Sequence, residues 1–130
     1  GMPMPLNARL RAKGRTEGEG VIDVTADENV VIETSKTFDK DVTIQFEFLP
    51  DEKCNNDLYI RGNKFDIKKG GVKNLEPGKW HKFEIVVKGK KIEFKCNGQT
   101  QRTGKVKKAN PLGIRTEFGA ISFRNLRFKG

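Results

Sequence analysis

Residues 78–98, GKWHKFEIVVKGKKIEFKCNG, leave a folded chain few options. His81, Phe83, Ile85 and Val87 alternate with Lys82, Glu84, Val86 and Lys88. Past Gly89-Lys90, Ile92, Phe94 and Cys96 alternate with Lys91, Glu93 and Lys95. A period of two on both arms predicts two antiparallel strands, each with one apolar and one charged face. Val87 falls opposite Ile92, which brings the apolar faces together; a slip of one residue would turn every Lys and Glu inward. Asn97-Gly98 signals a second tight turn. A hairpin of this kind cannot bury its apolar face alone and requires a partner sheet.

The same alternation recurs along the chain. Val42, Ile44, Phe46 and Phe48 share one face, and Pro50 marks the end of that run. Leu58 and Ile60 point inward with Tyr59 and Arg61 on the reverse face; Phe65 and Ile67 oppose Asp66 and Lys68; Leu112 and Ile114 oppose Gly113 and Arg115. Residues 21–24 and 30–33, separated by Asp27-Glu28-Asn29, read as a hairpin. Residues 51–56 read as a polar loop, and 100–108 as loop or weak strand. In the last run Ile121 and Phe123 face the core, but the parity then shifts to Leu126 and Phe128, which predicts a β-bulge at Arg124-Asn125.

About ten short strands, turn signals every eight to twelve residues and no helix with an apolar stripe define an all-β antiparallel β-sandwich or jelly roll. Fourteen glycines and five prolines in 130 residues suit its many turns. One β-sandwich domain is expected over residues 21–130, with residues 1–20 as an irregular N-terminal segment or edge strand.

Charge narrows the function classes. Twenty-six Lys and Arg against 17 Asp and Glu give a net +9, enough to consider an anionic polymer. The cations are spread among acids, however, and only Arg9, Arg11, Lys13 and Arg15 form a local run. Without a helix-turn-helix, zinc or RNA-recognition signature, lysine-guarded strand edges explain the charge better than a nucleic-acid footprint. No apolar run of about 18 residues predicts a membrane span. No charged-then-apolar leader opens the chain; export to the periplasm or the exterior is expected only for a longer chain containing this one. One histidine and two distant cysteines suggest no zinc site, and no Asp-x-Asp-x-Asp loop suggests calcium, so neither metal nor cofactor is expected. Cys54 and Cys96 either pair or stay free; Cys96 falls on the apolar parity of its strand.

The closing segment PLGIRTEFGAISFRNLRFK resembles the terminal signature of the 3-keto-disaccharide hydrolase family, which ends in Phe-Arg-Asn-Ile. PGKWHKFEIVVKGKKIEFKCNGQ is similar to its Gly-x-Trp, charged strand, turn and Asn-Gly run. NNDLYIRGNKFDIKK resembles its Asn-Ser-Gly, apolar strand and aromatic-Glu-x-Gln stretch. The likeness spans roughly residues 20–129. It implies a concanavalin A-like jelly roll whose curved sheet binds carbohydrate, and glycoside hydrolysis on sugars oxidised at C3. Asp66 and Lys68 stand for the family's Glu-x-Gln, Arg115 for its Gln, and Asn55-Asn56-Asp57 for its Asn-Ser-Gly.

Strand parity converges on the same residues. Tyr59, Arg61, Asp66, Lys68, Arg115 and Glu117 all lie opposite core-pointing positions, a mixture of carboxylates, cations and an aromatic that suits sugar hydroxyls and the apolar face of a pyranose. Asp66 and Glu117 are the acid/base candidates. Tyr59, Arg61, Lys68, Arg115 and Phe118 are the candidate substrate-binding residues. Trp80 is expected as a core or rim anchor. Two other functions stay open: a non-catalytic sugar-binding or adhesion module on the same fold, and a basic module binding anionic polymer through residues 9–15 and the outer lysines.

Overall fold

A computed structural model describes residues 10–11, 21–24 and 30–130, with side chains at 33–34, 37–115 and 118–130. The described strands run in chain order as β1 (Leu10–Arg11), β2 (Val21–Val24), β3 (Val30–Phe38), β4 (Val42–Pro50), β5 (Asn55–Ile60), β6 (Asn63–Lys68), β7 (His81–Lys88), β8 (Lys91–Cys96), β9 (Gln99–Lys105), β10 (Asn110–Phe118) and β11 (Ile121–Lys129). They form two antiparallel sheets, one of five strands in the order β1-β3-β10-β5-β6 and one of six in the order β2-β11-β4-β7-β8-β9. The molecule is an antiparallel β-sandwich of the jelly-roll kind.

The hairpin of residues 78–98 forms in the expected register, with Val87 opposite Ile92 and Phe83 opposite Cys96. Asn97 and Gly98, at φ 50° and 80°, then make the left-handed two-residue turn into β9. Strand β4 lies against β7 with Ile44 opposite Ile85 and Phe46 opposite Phe83, so the apolar residues of three neighbouring strands share one surface. The five-stranded sheet supplies the other half of the core from Leu58, Ile60, Phe65, Ile67, Leu112 and Ile114, each at most 2% exposed. Phe65 joins the layers, its ring 5.2 Å from that of Phe83 and 5.0 Å from that of Phe94. Each such ring contributes on the order of 1.5–3 kcal/mol by burial.

Two expectations change. Residues 21–24 and 30–33 do not form a hairpin: β2 pairs with β11 in the six-stranded sheet, while β3 pairs with β1 and β10 in the five-stranded one. Short β-branched runs joined by a polar segment suit a crossing between layers as well as a turn. The polar loop predicted for 51–56 gives way at Asn55, where β5 begins, and Asn56 points into the core, fully buried. Of the basic run, only the backbone of Arg11 falls within the described residues; Arg9, Lys13 and Arg15 lie outside them.

The bulge in β11 is present. The register with β4 shifts between Arg124 and Arg127, and Asn125 takes φ 55°. The side chains of Arg124 and Asn125 at the bulge both bond Glu47. Cys54 and Cys96 are buried and free, and burial pushes both thiols up to about 11. His81 is buried with Nδ1 2.8 Å from the Lys79 carbonyl and Nε2 accepting from the Glu76 N–H at 3.1 Å. Its ring stacks on Phe48, with centroids 5.0 Å apart.

Where the outermost strands β6 and β9 approach each other, Arg102 spans them. Its guanidinium donates to the Lys64 carbonyl and lies 5.9 Å from the Phe65 ring and 5.5 Å from the Phe94 ring. Asn63 adds a second tie, donating from Nδ2 to the Lys105 carbonyl at 2.8 Å.

Candidate functional site

Strands β10, β5 and β6 place nine residues of the outer face in a grid of three rows. Gly113, Tyr59 and Lys64 make the first, Arg115, Asp57 and Asp66 the second, and Phe118, Asn55 and Lys68 the third. Alternation dictates the grid: Leu58, Ile60, Phe65, Ile67, Leu112 and Ile114 face inward, so the residues between them face out.

Asp57 is the centre. Only 3% of the residue is exposed, although it stands on the face away from the core. One carboxylate oxygen accepts from Arg115 Nε at 3.1 Å and Nη2 at 2.7 Å and from the Tyr59 hydroxyl at 3.3 Å. Lys64 Nζ lies 3.8 Å from the other oxygen and 3.7 Å from Asp66. Burial works to raise the Asp57 pKa, but the hydrogen bonds from Arg115 and the charges of Lys64 and Arg115 outweigh it, so the carboxyl ionises below its ordinary range. Arg115 also lies 6.0 Å from the Tyr59 ring centroid.

The structure brings Tyr59, Asp66 and Arg115 together. Lys68 and Phe118 flank them in the third row, Phe118 being the one exposed large hydrophobic among the described residues, at 52%. Glu117 falls inside a register shift between Thr116 and Phe118, so Phe118 takes the place opposite Asn55 that strict alternation assigns to Glu117. The Glu117 side chain lies outside the described residues. Arg61 stands apart: at φ 49° it belongs to the β5–β6 turn, and its Nε donates to the Lys108 carbonyl at 2.8 Å.

Asp57 and Lys64 are the functional candidates that sequence reasoning passed over. The signal was present, because Asp57 is one alternation step before Tyr59 and Lys64 one step before Asp66. Among the described residues, no group of three His, Cys, Asp or Glu side chains could hold a metal ion, and no helix is long and apolar enough to cross a membrane.

A second hollow, about 390 Å³, lies on the outer face of the six-stranded sheet among Gln45, Glu47, Lys82, Glu84, Asn125 and Arg127. Its acids are already engaged: Gln45 donates to Glu84 at 2.7 Å, Lys95 is 3.9 Å from Glu84, and Arg124 and Asn125 bond Glu47. Arg124 also covers Trp80, 3.8 Å above the ring centroid. A sugar would have to displace that guanidinium to reach this face of the indole.

No protein-family model and no curated protein matches the sequence. Solved structures do match in fold. A protein of Parabacteroides distasonis described as a "putative glycosyl hydrolase" superposes with a TM-score of 0.73 at 14% identity, covering 94% of this chain and 93% of that one. The carbohydrate-binding module CBM66 of Bacillus subtilis gives 0.68 at 10% identity, over 98% and 99%. A galectin of Caenorhabditis elegans gives 0.51 at 13% identity, over 98% and 99%. At these identities the likeness establishes the jelly-roll fold.

Proposed function

We propose that the protein is a carbohydrate-binding domain whose sugar lies across β10, β5 and β6, over Tyr59, Asp57, Arg115, Asp66 and Lys64. The buried, ionised Asp57 on an outward face carries this reading. An ordinary solvated sheet face leaves its charges in water, whereas desolvating a carboxylate costs stability unless several donors hold it. Such a set of oriented donors and acceptors is what ring hydroxyls require, and Tyr59 supplies an apolar surface for a pyranose. That structures described as a carbohydrate-binding module and a galectin share the fold supports the same reading. Calorimetric titration with an oligosaccharide panel tests it: wild type binds at least one member, and Tyr59→Ala or Arg115→Ala abolishes that binding. A wild-type protein that binds none overturns the assignment.

The resemblance to 3-keto-disaccharide hydrolases and the glycosyl hydrolase description of one structural neighbour favour a second reading, in which the same face cleaves oxidised glycosides. Asp57 and Asp66 do not form the two-carboxyl pair of glycoside hydrolysis. Asp57 is buried and already holds Arg115, Tyr59 and Lys64, so it is not free to serve as the second carboxyl across the scissile bond. A single base acting on the acidic C2 proton of a 3-keto sugar suits the cluster better. Asp66, with a side chain 40% exposed, would take the C2 proton and Lys64 would stabilise the enolate. Collapse of the enolate would break the C1–oxygen bond and expel the aglycone, protonated by water, leaving an enone to which water adds. Assay of 3-keto-glucosides with wild type, Asp66→Asn and Glu117→Gln decides the matter. Unchanged turnover in both variants, or none in wild type, leaves the binding module.

A further inference from the structure

Beside the first row of the grid, at the end of the five-stranded sheet, lies a hollow of about 530 Å³ whose lining includes Tyr59, Asn63, Lys64, Lys107, Lys108 and Asn110. Its lining carries three ammonium groups and no carboxylate. Lys64 is shared with Asp57 and Asp66, but among the described residues no acid pairs with Lys107 or Lys108.

Both lysines are exposed, but the backbone that carries them is held. The Lys107 N–H donates to the Arg61 carbonyl at 2.9 Å, Arg61 Nε donates to the Lys108 carbonyl at 2.8 Å, and the Arg61 N–H donates to Asn110 Oδ1. Gly62, at φ +80°, leaves room for the Lys107 stem: a Cβ there would stand 2.7 Å from Lys107 Cβ. The β5–β6 turn therefore fixes the backbone of Lys107 and Lys108 at the hollow that Tyr59 also lines. It also explains where Arg61 acts, as a positioning residue of this rim and a further positive charge behind it.

We infer that this hollow binds an acidic group, a carboxylate or sulfate, carried by the same glycan that lies over Tyr59, so that the protein selects anionic over neutral saccharides. The inference rests on the proposed sugar site and specifies its ligand class. Lys107 and Lys108 have no acid partner among the described residues, and an anion in the concavity would compensate them. Ammonium groups on flexible stems accept planar carboxylate and tetrahedral sulfate alike, without the bidentate geometry that arginine would impose.

The test pairs each uronate oligosaccharide with its methyl ester, which keeps sugar and linkage and removes the charge. Trimers of galacturonate and mannuronate, their methyl esters and a sulfated carrageenan oligosaccharide are titrated in low and moderate salt. The wild type is expected to bind at least one acid tenfold or more tightly than its neutral counterpart, with the preference shrinking as salt rises. The carboxylate and sulfate arms identify which group is taken. Lys107→Gln/Lys108→Gln should bring the preference to twofold or less and leave binding of the methyl ester unchanged, while Lys88→Gln/Lys91→Gln, with the same charge loss on the other sheet, should change neither. Equal binding of acids and esters overturns the inference and leaves the sugar site standing, as does an equal loss in the two double variants. If no saccharide of any kind binds, the proposed function falls and this specificity with it.

Discussion

Arg115 stands directly opposite Asp57 across β10 and β5 and delivers two N–H groups to one of its carboxylate oxygens, at 2.7 and 3.1 Å. The acid is nearly inaccessible, whereas the Arg115 side chain is 34% exposed. Removing the cation strands a buried charge. Arg115→Met is therefore expected to cost about 2–4 kcal/mol, above what an exposed pair contributes. Asp57→Leu/Arg115→Met should recover most of that loss, because the stranded charge goes too. Urea unfolding of both variants measures the difference.

The same pair makes stability depend on acid. The folded Asp57 ionises below the unfolded value of about 4, so on lowering the pH the unfolded chain takes up its proton first. The contribution is complete above pH about 4 and disappears as pH falls toward the folded pKa. A plot of unfolding free energy against pH should descend in that range for wild type and be flatter for Asp57→Asn. Glu47 also ionises low in the folded protein: burial opposes this, but hydrogen bonds from Asn125 and Arg124 and the charges of Arg124 and Lys82 prevail. A residual slope is therefore expected in Asp57→Asn and should shrink further when Glu47→Gln is added, with Glu76, held low by its hydrogen bond and ion pair with Lys79, still contributing.

Trp80, the one tryptophan of the chain, is a built-in reporter of the opposite sheet. With Arg124 3.8 Å above its ring and 3.1 Å from Glu47, Arg124→Ala should shift the emission maximum and lower stability by about 1–2 kcal/mol. Glycan affinity should be unchanged, because the proposed sugar face is on the other sheet. A parallel loss of binding would mean that the sugar lies here instead.

Asn56 offers a stabilising change. It is fully buried, and among the described residues neither its Oδ1 nor its Nδ2 has a hydrogen-bond partner. A buried amide left this way costs about 1–3 kcal/mol, so Asn56→Val is expected to raise the melting temperature by several degrees. A fall instead would show that the amide is bonded in solution, for example by an enclosed water.

Alternation was legible wherever one strand face is buried and the other wet. It gave the β7–β8 register, the inward set of β4 and the bulge after Arg124. It failed where the backbone leaves the extended state: Arg61 follows Tyr59 in parity, yet its left-handed φ takes it out of the sheet, and the register shift at Thr116–Phe118 puts an aromatic where Glu117 was expected. Layer assignment was not legible at all, since nothing local in VIDV or the run after Val30 states which distant strand each will meet. The heart of the site was missed for a different reason. Asp57 sits in a polar stretch, Asn55-Asn56-Asp57, that resembles a loop until it is paired with Asp66 and Arg115.

Arg102 bears on whether a second copy can add a strand to the five-stranded sheet. By giving its guanidinium to the Lys64 carbonyl, it occupies part of the open margin of β6, the position at which a foreign strand would dock and extend the sheet. Cations along that margin, Lys64 and Lys68, and on the neighbouring β9, Arg102 and Lys105, repel a second copy approaching the same way. Fibrillation by strand addition should accordingly begin here, faster in Arg102→Ala and faster still where salt masks the lysines.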